Sequence, residues 1–353
     1  MNLTKRILFC ASLLFFVNGV IAQEDTIVKA VILDSTDTAA DKFYNAGVEA
    51  FGAKKYEDAI TNFSEAIKMN ENFEKAYYNR GLTYYSIDKH AEAITDFDKA
   101  ISLREDAETY FKRGESKQAL NDKEGATADY TKTVELNASH AKAYYNRAFF
   151  KFSDKDYKAA IDDYTKAIAA KKDFAYAYND RASAKRQLDD FKGAIADYKK
   201  AIMIDNKMAF VHNNLGSAKR KEGDFKGAIM DYSKAISLDK KYFIAYNNRG
   251  SAKFDAKDYK GAITDFSKAI EINSSYAYAL NNRAAAKFKL KDYKGAIEDC
   301  TKAIAVDTNY AYAYLNRGNA KELLRDDEGA CEDWNKAAEL GAEGAKANIG
   351  ICD

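Results

Sequence analysis

A block of about 34 residues recurs nine times in this chain and accounts for nearly all of it after residue 40. Each block has two stretches of about 14 residues with apolar side chains at helical spacing, separated by a turn that contains Asp or Gly. A fixed period of this length, made of two amphipathic halves, predicts stacked helical hairpins rather than a closed globule. The blocks start at Ala40, Glu74, Ala107, Ala141, Ala175, Ala209, Phe243, Ala277 and Ala311.

Small and large residues keep fixed places within the blocks. The eighth place is Gly or Ala and the twentieth is always Ala, which lets the two backbones of a hairpin approach closely. The fourth and twenty-fourth places carry mostly aromatic side chains, which fill the space beside the crossing. An Asp stands before the second helix in five consecutive blocks and is expected to cap it: Asp156, Asp190, Asp224, Asp258 and Asp292.

These spaced residues resemble the tetratricopeptide repeat family, and the resemblance covers residues 40–344. It implies an all-α fold, a right-handed α-α superhelical solenoid of nine helical hairpins. The sequence departs from the family pattern because it has no Pro and because the eleventh place, usually aromatic, is Lys in seven blocks. We expect the stems of these lysines to cover apolar surface while their charged ends reach water: Lys117, Lys151, Lys185, Lys219, Lys253, Lys287 and Lys321.

One covariation is internal to the chain. The seventh place is Arg in seven blocks, and each of those blocks has Asp at the twenty-third place. The first block lacks both, with Ala46 and Asn62, and the sixth has Leu215 but keeps Asp231. This pattern predicts a structural Arg–Asp pair between the two helices of a hairpin, with a ligand role for the arginines as the alternative. Taken as exposed pairs, they are expected to stabilise by about 0–1 kcal/mol each.

The first 22 residues are typical of a secretory signal peptide. Lys5 and Arg6 precede an apolar run, and cleavage is expected before Gln23. The run is too short to favour a membrane anchor, so we expect an exported chain, periplasmic or secreted, with no membrane span after processing. Residues 23–39 do not fit the repeat and are expected to form a flexible leader. Residues 345–353 are expected to form a helix that caps the last hairpin.

Charge and cysteine usage restrict the function further. Loss of the signal peptide removes two basic residues and no acidic one, which changes the formal net charge from +1 to −1. A neutral chain argues against nucleic acid as a partner, because nucleic acid binding demands a basic stripe.

Cys300 occupies a packing place. Cys331 and Cys352 are disulfide candidates that could fasten the capping helix in an oxidising compartment, with a contribution of about 3 kcal/mol.

The chain carries no recognisable catalytic motif. His90, His140 and His212 lie in different blocks and show no metal-ligand spacing, so we expect structural roles for all three. Adjacent carboxylates belong to repeated helix surfaces and turns, and the glycines recur as part of the second helix. We therefore expect no enzymatic activity, no cofactor and no metal.

In the family that this sequence resembles, the first helix of each repeat lines the concave face. Its sixth place here is Asn in seven blocks, and its fifth place is also Asn in four consecutive blocks. A primary amide both donates and accepts hydrogen bonds, which suits the backbone of an extended peptide. Relatives with such Asn ladders hold peptides in this way, although sixth-place Asn can also be structural. The candidate binding amides are Asn179, Asn213, Asn214, Asn247, Asn248, Asn281, Asn282 and Asn316.

The second place of the first helix becomes apolar only from the fifth block onward. Aromatic side chains on a concave surface beside amides form a candidate partner surface, and packing between adjacent first helices is the alternative. The residues are Tyr176, Phe210, Ile244, Tyr278 and Tyr312.

The sequence therefore predicts a non-catalytic scaffold that binds a protein or an extended peptide in the groove of blocks five to nine. Two alternatives stay open: a module that binds carbohydrate or envelope polymer through the tyrosine-rich face, and a structural assembly subunit.

Overall fold

The computed structural model describes residues 38–350 and residue 352. The predicted signal peptide and most of the predicted leader lie outside the described residues. The described chain contains 19 helices and no strand, which confirms the all-α prediction for this part of the chain. It divides into two compact units, with the boundary between Ala184 and Lys185 inside the ninth helix.

The unit that ends at Ala184 contains eight helices and most of a ninth. They are α1 (Ala39–Gly52), α2 (Tyr56–Met69), α3 (Glu74–Ser86), α4 (His90–Leu103), α5 (Ala107–Ala119), α6 (Lys123–Leu136), α7 (Ala141–Ser153), α8 (Tyr157–Ala170) and α9 (Ala175–Gln187).

The unit that starts at Lys185 contains the remaining helices. They are α10 (Phe191–Ile204), α11 (Ala209–Lys221), α12 (Phe225–Leu238), α13 (Phe243–Asp255), α14 (Tyr259–Ile272), α15 (Ala277–Lys289), α16 (Tyr293–Val306), α17 (Ala311–Glu322), α18 (Asp327–Glu339) and α19 (Ala345–Ile349).

Within each unit the helices form consecutive hairpins that stack on one another. The two helices of a hairpin pack together, and the second helix also packs against the first helix of the next hairpin. First helices of successive hairpins contact each other too, as α11, α13, α15 and α17 do. The last of these four hairpins is followed by α19, which packs on α18.

The turn inside each hairpin has one conformation throughout. The residue at the fifteenth place has a positive φ in all nine blocks, between 59° and 86°, and only Gly223 is a glycine. The predicted caps of the second helices are confirmed. In the five blocks named above, an Asp carboxylate accepts a hydrogen bond from the backbone N–H three residues later, at 2.8–3.1 Å.

The predicted Arg–Asp pair is confirmed in six blocks, but it is not exposed. Arg147, for example, donates from Nε and Nη2 to the two carboxylate oxygens of Asp163 at 2.7 and 2.8 Å. The six Asp side chains keep only 1–4% of their surface exposed. The estimate for an exposed pair is therefore wrong, because removal of one partner from a buried pair leaves an uncompensated charge.

The prediction for the eleventh-place lysines needs a correction at their charged ends. Their charged ends do not simply reach water but form an ion pair with the twenty-third-place Asp of the same hairpin, at 2.6–2.9 Å. The buried carboxylate attracts the ammonium group because it needs charge compensation away from solvent. Most hairpins thus enclose a carboxylate between an arginine and a lysine.

The same arginines also bond to the preceding hairpin. Arg249 donates from Nη1 to Ser233 Oγ at 3.0 Å, and Arg283 donates to Ser267 Oγ at the same distance. The twenty-fifth place is Ser or Thr before most of the arginines. Before Leu215, which replaces an arginine, it is Lys199 instead. The arginine therefore links two hairpins, and the hydroxyl is absent where the arginine is absent.

Three of the buried carboxyls at the twenty-third place have shifted pKa values, and the direction of the shift differs among them. Asp96 pairs with Arg80 alone and Asp231 with Lys219 alone, and burial raises the pKa of both carboxyls. Burial acts in the same direction on Asp163. There, hydrogen bonds from both Arg147 and Lys151 outweigh it, and the pKa lies below its usual value.

We expect Lys151→Met to raise the pKa of the Asp163 carboxyl, because burial is then opposed by Arg147 alone. A carboxyl with a lowered pKa stabilises the fold above about pH 4, and this contribution is lost as the pH falls further. The stability difference between wild type and variant should therefore shrink below about pH 4. Carboxyl NMR titration measures the shift. Lys158→Met, which removes an exposed lysine from the same hairpin, is the matched control, and an unchanged Asp163 titration in Lys151→Met would refute the explanation.

Candidate functional site

Amide–amide hydrogen bonds run along the first helices of the unit that starts at Lys185. We call Asn248, Asn282 and Asn316 the Asn row. Each donates from Nδ2 to Oδ1 of the fifth-place Asn one hairpin earlier, at 3.0, 3.0 and 2.8 Å. The fifth-place acceptors Asn213, Asn247 and Asn281 are buried, whereas the Asn row is partly exposed.

The Asn row retains polar groups after these bonds are made. Each primary amide has a second N–H, and its oxygen can accept hydrogen bonds. The Oδ1 atoms of Asn282 and Asn316 accept no hydrogen bond from the described residues. These groups are available to a ligand, while the fifth-place amides serve mainly to hold the row in position.

The other unit uses different residues at the equivalent places. Asn79 donates to the Tyr44 hydroxyl at 2.9 Å, and the Tyr145 hydroxyl donates to Asp180 Oδ2 at 2.6 Å. Asn179 donates to the other oxygen of Asp180 at 2.8 Å. Burial raises the pKa of Asp180 to about 6, although both hydrogen bonds oppose it. The predicted site residue Asn179 is thus buried and bonded to a neighbouring carboxylate.

The predicted second-place aromatics are partly buried, and at least one of them packs between first helices. The Tyr278 ring lies edge-on to Tyr310, with ring centroids 5.1 Å apart, and also contacts Tyr276. Tyr176 packs against the apolar core of residues 111–177, and Tyr312 packs against the core around Trp334. Phe210 and Asn214 are partly exposed on α11. These contacts give the rings a packing role and leave part of their surface open.

A small apolar cleft lies beside the Asn row and was not singled out by the sequence analysis. Phe254 of α13 and Phe288 of α15 form its walls, and both occupy the twelfth place of their blocks. Its complete lining is Phe254, Ala284, Ala285, Phe288, Lys289, Asn316 and Asn319. The change of the twelfth place from Arg186 and Arg220 to these two Phe is the sequence signal that could have revealed it.

The remaining candidates have structural surroundings. Cys331 and Cys352 are joined by a disulfide with their Cα atoms 5.7 Å apart, and Cys300 is buried. His140 accepts a hydrogen bond from the backbone N–H of Ala143 and caps α7, and His212 is buried. Within residues 38–350 there is no cluster of His, Cys, Asp or Glu that could hold a metal ion. No helix in that range has the length and apolarity needed to cross a bilayer.

The helices form stacked hairpins, and the first helices of successive hairpins form a layer lined by side chains. This arrangement defines an α-helical repeat protein of the scaffold class. Family models for the tetratricopeptide repeat match residues 51–88, 216–257 and 250–291, residues 74–106 and 277–310, and residues 141–174 and 175–208. The chain belongs to the tetratricopeptide repeat family. The fold of this family is typical of non-catalytic scaffolds that bind protein partners.

Two solved structures agree with this fold, and a third resembles part of the chain in sequence. A tetratricopeptide repeat protein from Parabacteroides merdae is 17% identical, with a TM-score of 0.57 over 70% of this chain and 98% of that chain. PilF from Pseudomonas aeruginosa is 18% identical, with a TM-score of 0.52 over 60% of this chain and 95% of that chain. MamA is 30% identical over 47% of this chain and 96% of that chain, with a TM-score of 0.42. No curated protein sequence matches the chain.

Proposed function

We propose that the first-helix layer of residues 185–353 binds an extended polypeptide of a partner protein. The observation that carries the proposal is the Asn row, whose unused amide groups stand beside an apolar cleft. Main-chain groups of a peptide would bond to the amides, and an apolar side chain would enter the cleft between Phe254 and Phe288. The amides give affinity for any extended backbone, and the cleft selects which side chain is accepted.

The structure changes how this proposal should be tested. Removal of the amides of Asn248 and Asn282 would also break hydrogen bonds between hairpins, at a cost of about 0.5–1.5 kcal/mol each. A loss of binding in such a variant would therefore have two explanations. A substitution that fills the cleft leaves the hydrogen bonds of the Asn row intact. It therefore distinguishes a loss of ligand contacts from a loss of stability.

We expect Ala285→Phe to block the cleft and to weaken peptide binding at least about tenfold. The equivalent ninth place carries Phe149 and Leu82 in other blocks, so a large side chain is compatible with the hairpin. Peptides are first selected on the wild-type chain from a random library, and their dissociation constants are then measured by calorimetry.

Ala305→Phe, at an exposed place on α16, is the matched control for Ala285→Phe and should bind the selected peptides as wild type does. Equal affinity of Ala285→Phe and wild type would contradict a role for the cleft. Failure to select any peptide, together with hits on a glycan array, would favour the carbohydrate alternative.

We also propose that the chain is exported. The disulfide between Cys331 and Cys352 supports an oxidising compartment, because structural disulfides are rare where thiols are kept reduced. Amino-terminal sequencing of the mature protein should begin at Gln23. An intact amino terminus on a cytosolic product would contradict export.

A further inference from the structure

The outward faces of α10 and α12 carry charge of one sign only. Five of their lysines are exposed, and none of the five forms an ion pair with a described residue. Each helix has a single acidic residue, Asp197 or Asp231, which is directed inward and paired with a lysine of its own hairpin. The exposed lysines are Lys192, Lys199, Lys200, Lys226 and Lys234.

The two largest exposed fractions among large hydrophobic side chains of the described residues occur on these same helices. Met203 of α10 is 76% exposed and Met230 of α12 is 66% exposed. On α12, Lys226, Met230 and Lys234 follow one another at spacings of four residues, which places them on one stripe of the helix. The methionines therefore lie among the lysines rather than on a separate surface.

The two helices have a common neighbour in the fold. Both α10 and α12 pack against α11, and Lys192 and Lys200 occupy the same places of their block as Lys226 and Lys234. We call this surface, made of the five lysines with Met203 and Met230, the Lys–Met face. Asp190 and Asp224, which precede the two helices, accept hydrogen bonds from the backbone of Gly193 and Gly227 as caps.

Second helices are not basic in general in this chain. The outward face of α18 carries four exposed acidic residues and one lysine that is paired with one of them. The acidic residues are Asp327, Glu328, Glu332 and Glu339. Lys at the eighteenth and twenty-sixth places also occurs on α8, α14 and α16, but each of those helices carries one further exposed acidic residue. These residues are Asp162, Glu271 and Glu298. The lack of such an exposed acid distinguishes α10 and α12.

We propose that the Lys–Met face docks on the surface of a lipid bilayer rich in anionic phosphate headgroups. Charge complementarity is the first argument, since lysines close to an anionic leaflet each contribute to binding. The methionines are the second. Exposed apolar side chains between lysines can enter the boundary between headgroups and acyl chains.

The test is co-sedimentation of the purified chain with phosphatidylcholine vesicles that contain about one third phosphatidylglycerol. We expect binding to these vesicles, weaker binding as salt is added, and little binding to pure phosphatidylcholine. The variant Lys192→Gln/Lys199→Gln/Lys226→Gln should lower the partition coefficient about a hundredfold, at about fivefold per lysine. Met203→Ser/Met230→Ser should lower it about tenfold at constant charge.

The matched control is Lys294→Gln/Lys302→Gln/Lys336→Gln, which makes the same change of charge on α16 and α18 and should keep wild-type binding. Equal losses in the control and in the α10–α12 variant would show a nonspecific charge effect and overturn the assignment. So would equal binding to neutral and anionic vesicles, or an absence of binding at low salt. Binding to soluble polyphosphate without binding to vesicles would replace the lipid by an anionic polymer.

Discussion

Replacement of Phe266 by alanine is expected to lower the free energy of unfolding by about 3–5 kcal/mol. The ring is fully buried, packs with Ala262 and Ala286, and covers the backbone of Gly250 so closely that a Cβ there would lie 2.8 Å from it. A cavity at this position cannot be filled by collapse, because helix backbones stand on both sides. Urea unfolding followed by circular dichroism measures the loss, and a change below about 1 kcal/mol would contradict this packing.

Phe266→Tyr is the matched variant, and we expect it to stabilise the protein by about 1 kcal/mol. In the preceding hairpin the Tyr232 hydroxyl donates to Ser217 Oγ at 3.1 Å. The corresponding Ser251 is buried, and its Oγ has no hydrogen-bond partner among the described residues. A tyrosine at position 266 would supply that partner. Destabilisation by Phe266→Tyr would show that the hairpins are less equivalent than their sequences indicate.

Reduction of the disulfide between Cys331 and Cys352 is expected to destabilise the last hairpin by about 3 kcal/mol, as the bond closes a segment with a sequence separation of 21 residues. The disulfide holds the capping segment that covers Trp334, the only tryptophan of the chain. A second connection is made by Asn319, whose Oδ1 accepts from Trp334 Nε1 and from Asn348 Nδ2, both at 2.9 Å. Loss of the cap should therefore expose the indole.

Tryptophan fluorescence during urea unfolding measures this effect directly. The wild-type chain should unfold at lower urea when a reductant is present, with emission at longer wavelength before the main transition. Cys352→Ser should behave like the reduced wild type in both conditions. If the wild-type transition does not respond to reductant, the capping helix is held by packing alone and the disulfide contributes nothing measurable.

The fold could be predicted from the sequence because packing in this chain is local and repeated. Ala at the twentieth place and a large side chain at the twenty-fourth recur with the same period. The packing contacts within one block are therefore repeated in the other blocks. The structure begins its first helices at the predicted block starts, except that α1 begins one residue earlier at Ala39.

The electrostatic contacts were predicted less well, for a physical reason. The covariation of Arg with Asp indicated a pair, but it did not indicate how deeply the pair is buried. Lys287 lies twelve residues from Asp299 in sequence and pairs with it at 2.8 Å only because the hairpin turn brings the two helices together. The hydroxyl at the twenty-fifth place accepts a hydrogen bond from the arginine of the next block. Helical periodicity gives no signal for a contact between two blocks.

The candidate site was predicted in composition but not in geometry. The doubled Asn stretch suggested a set of amides all directed at a ligand. Distances divide it in two: Asn247 and Asn281 are buried acceptors, and Asn282 and Asn316 keep groups that a ligand could use. Sequence cannot make this division, because fifth-place and sixth-place residues are neighbours on the same helix and differ only in the direction of the side chain.

The central claim is that the first-helix layer of residues 185–353 binds an extended polypeptide. Hydrogen–deuterium exchange with mass spectrometry, on the full chain with and without a selected peptide, tests it most directly. We expect slower exchange in α13, α15 and α17, around the Asn row and the cleft, and unchanged exchange in α12, α14 and α16. Slower exchange confined to the second helices, or no change along residues 243–322 despite saturated binding, would contradict it.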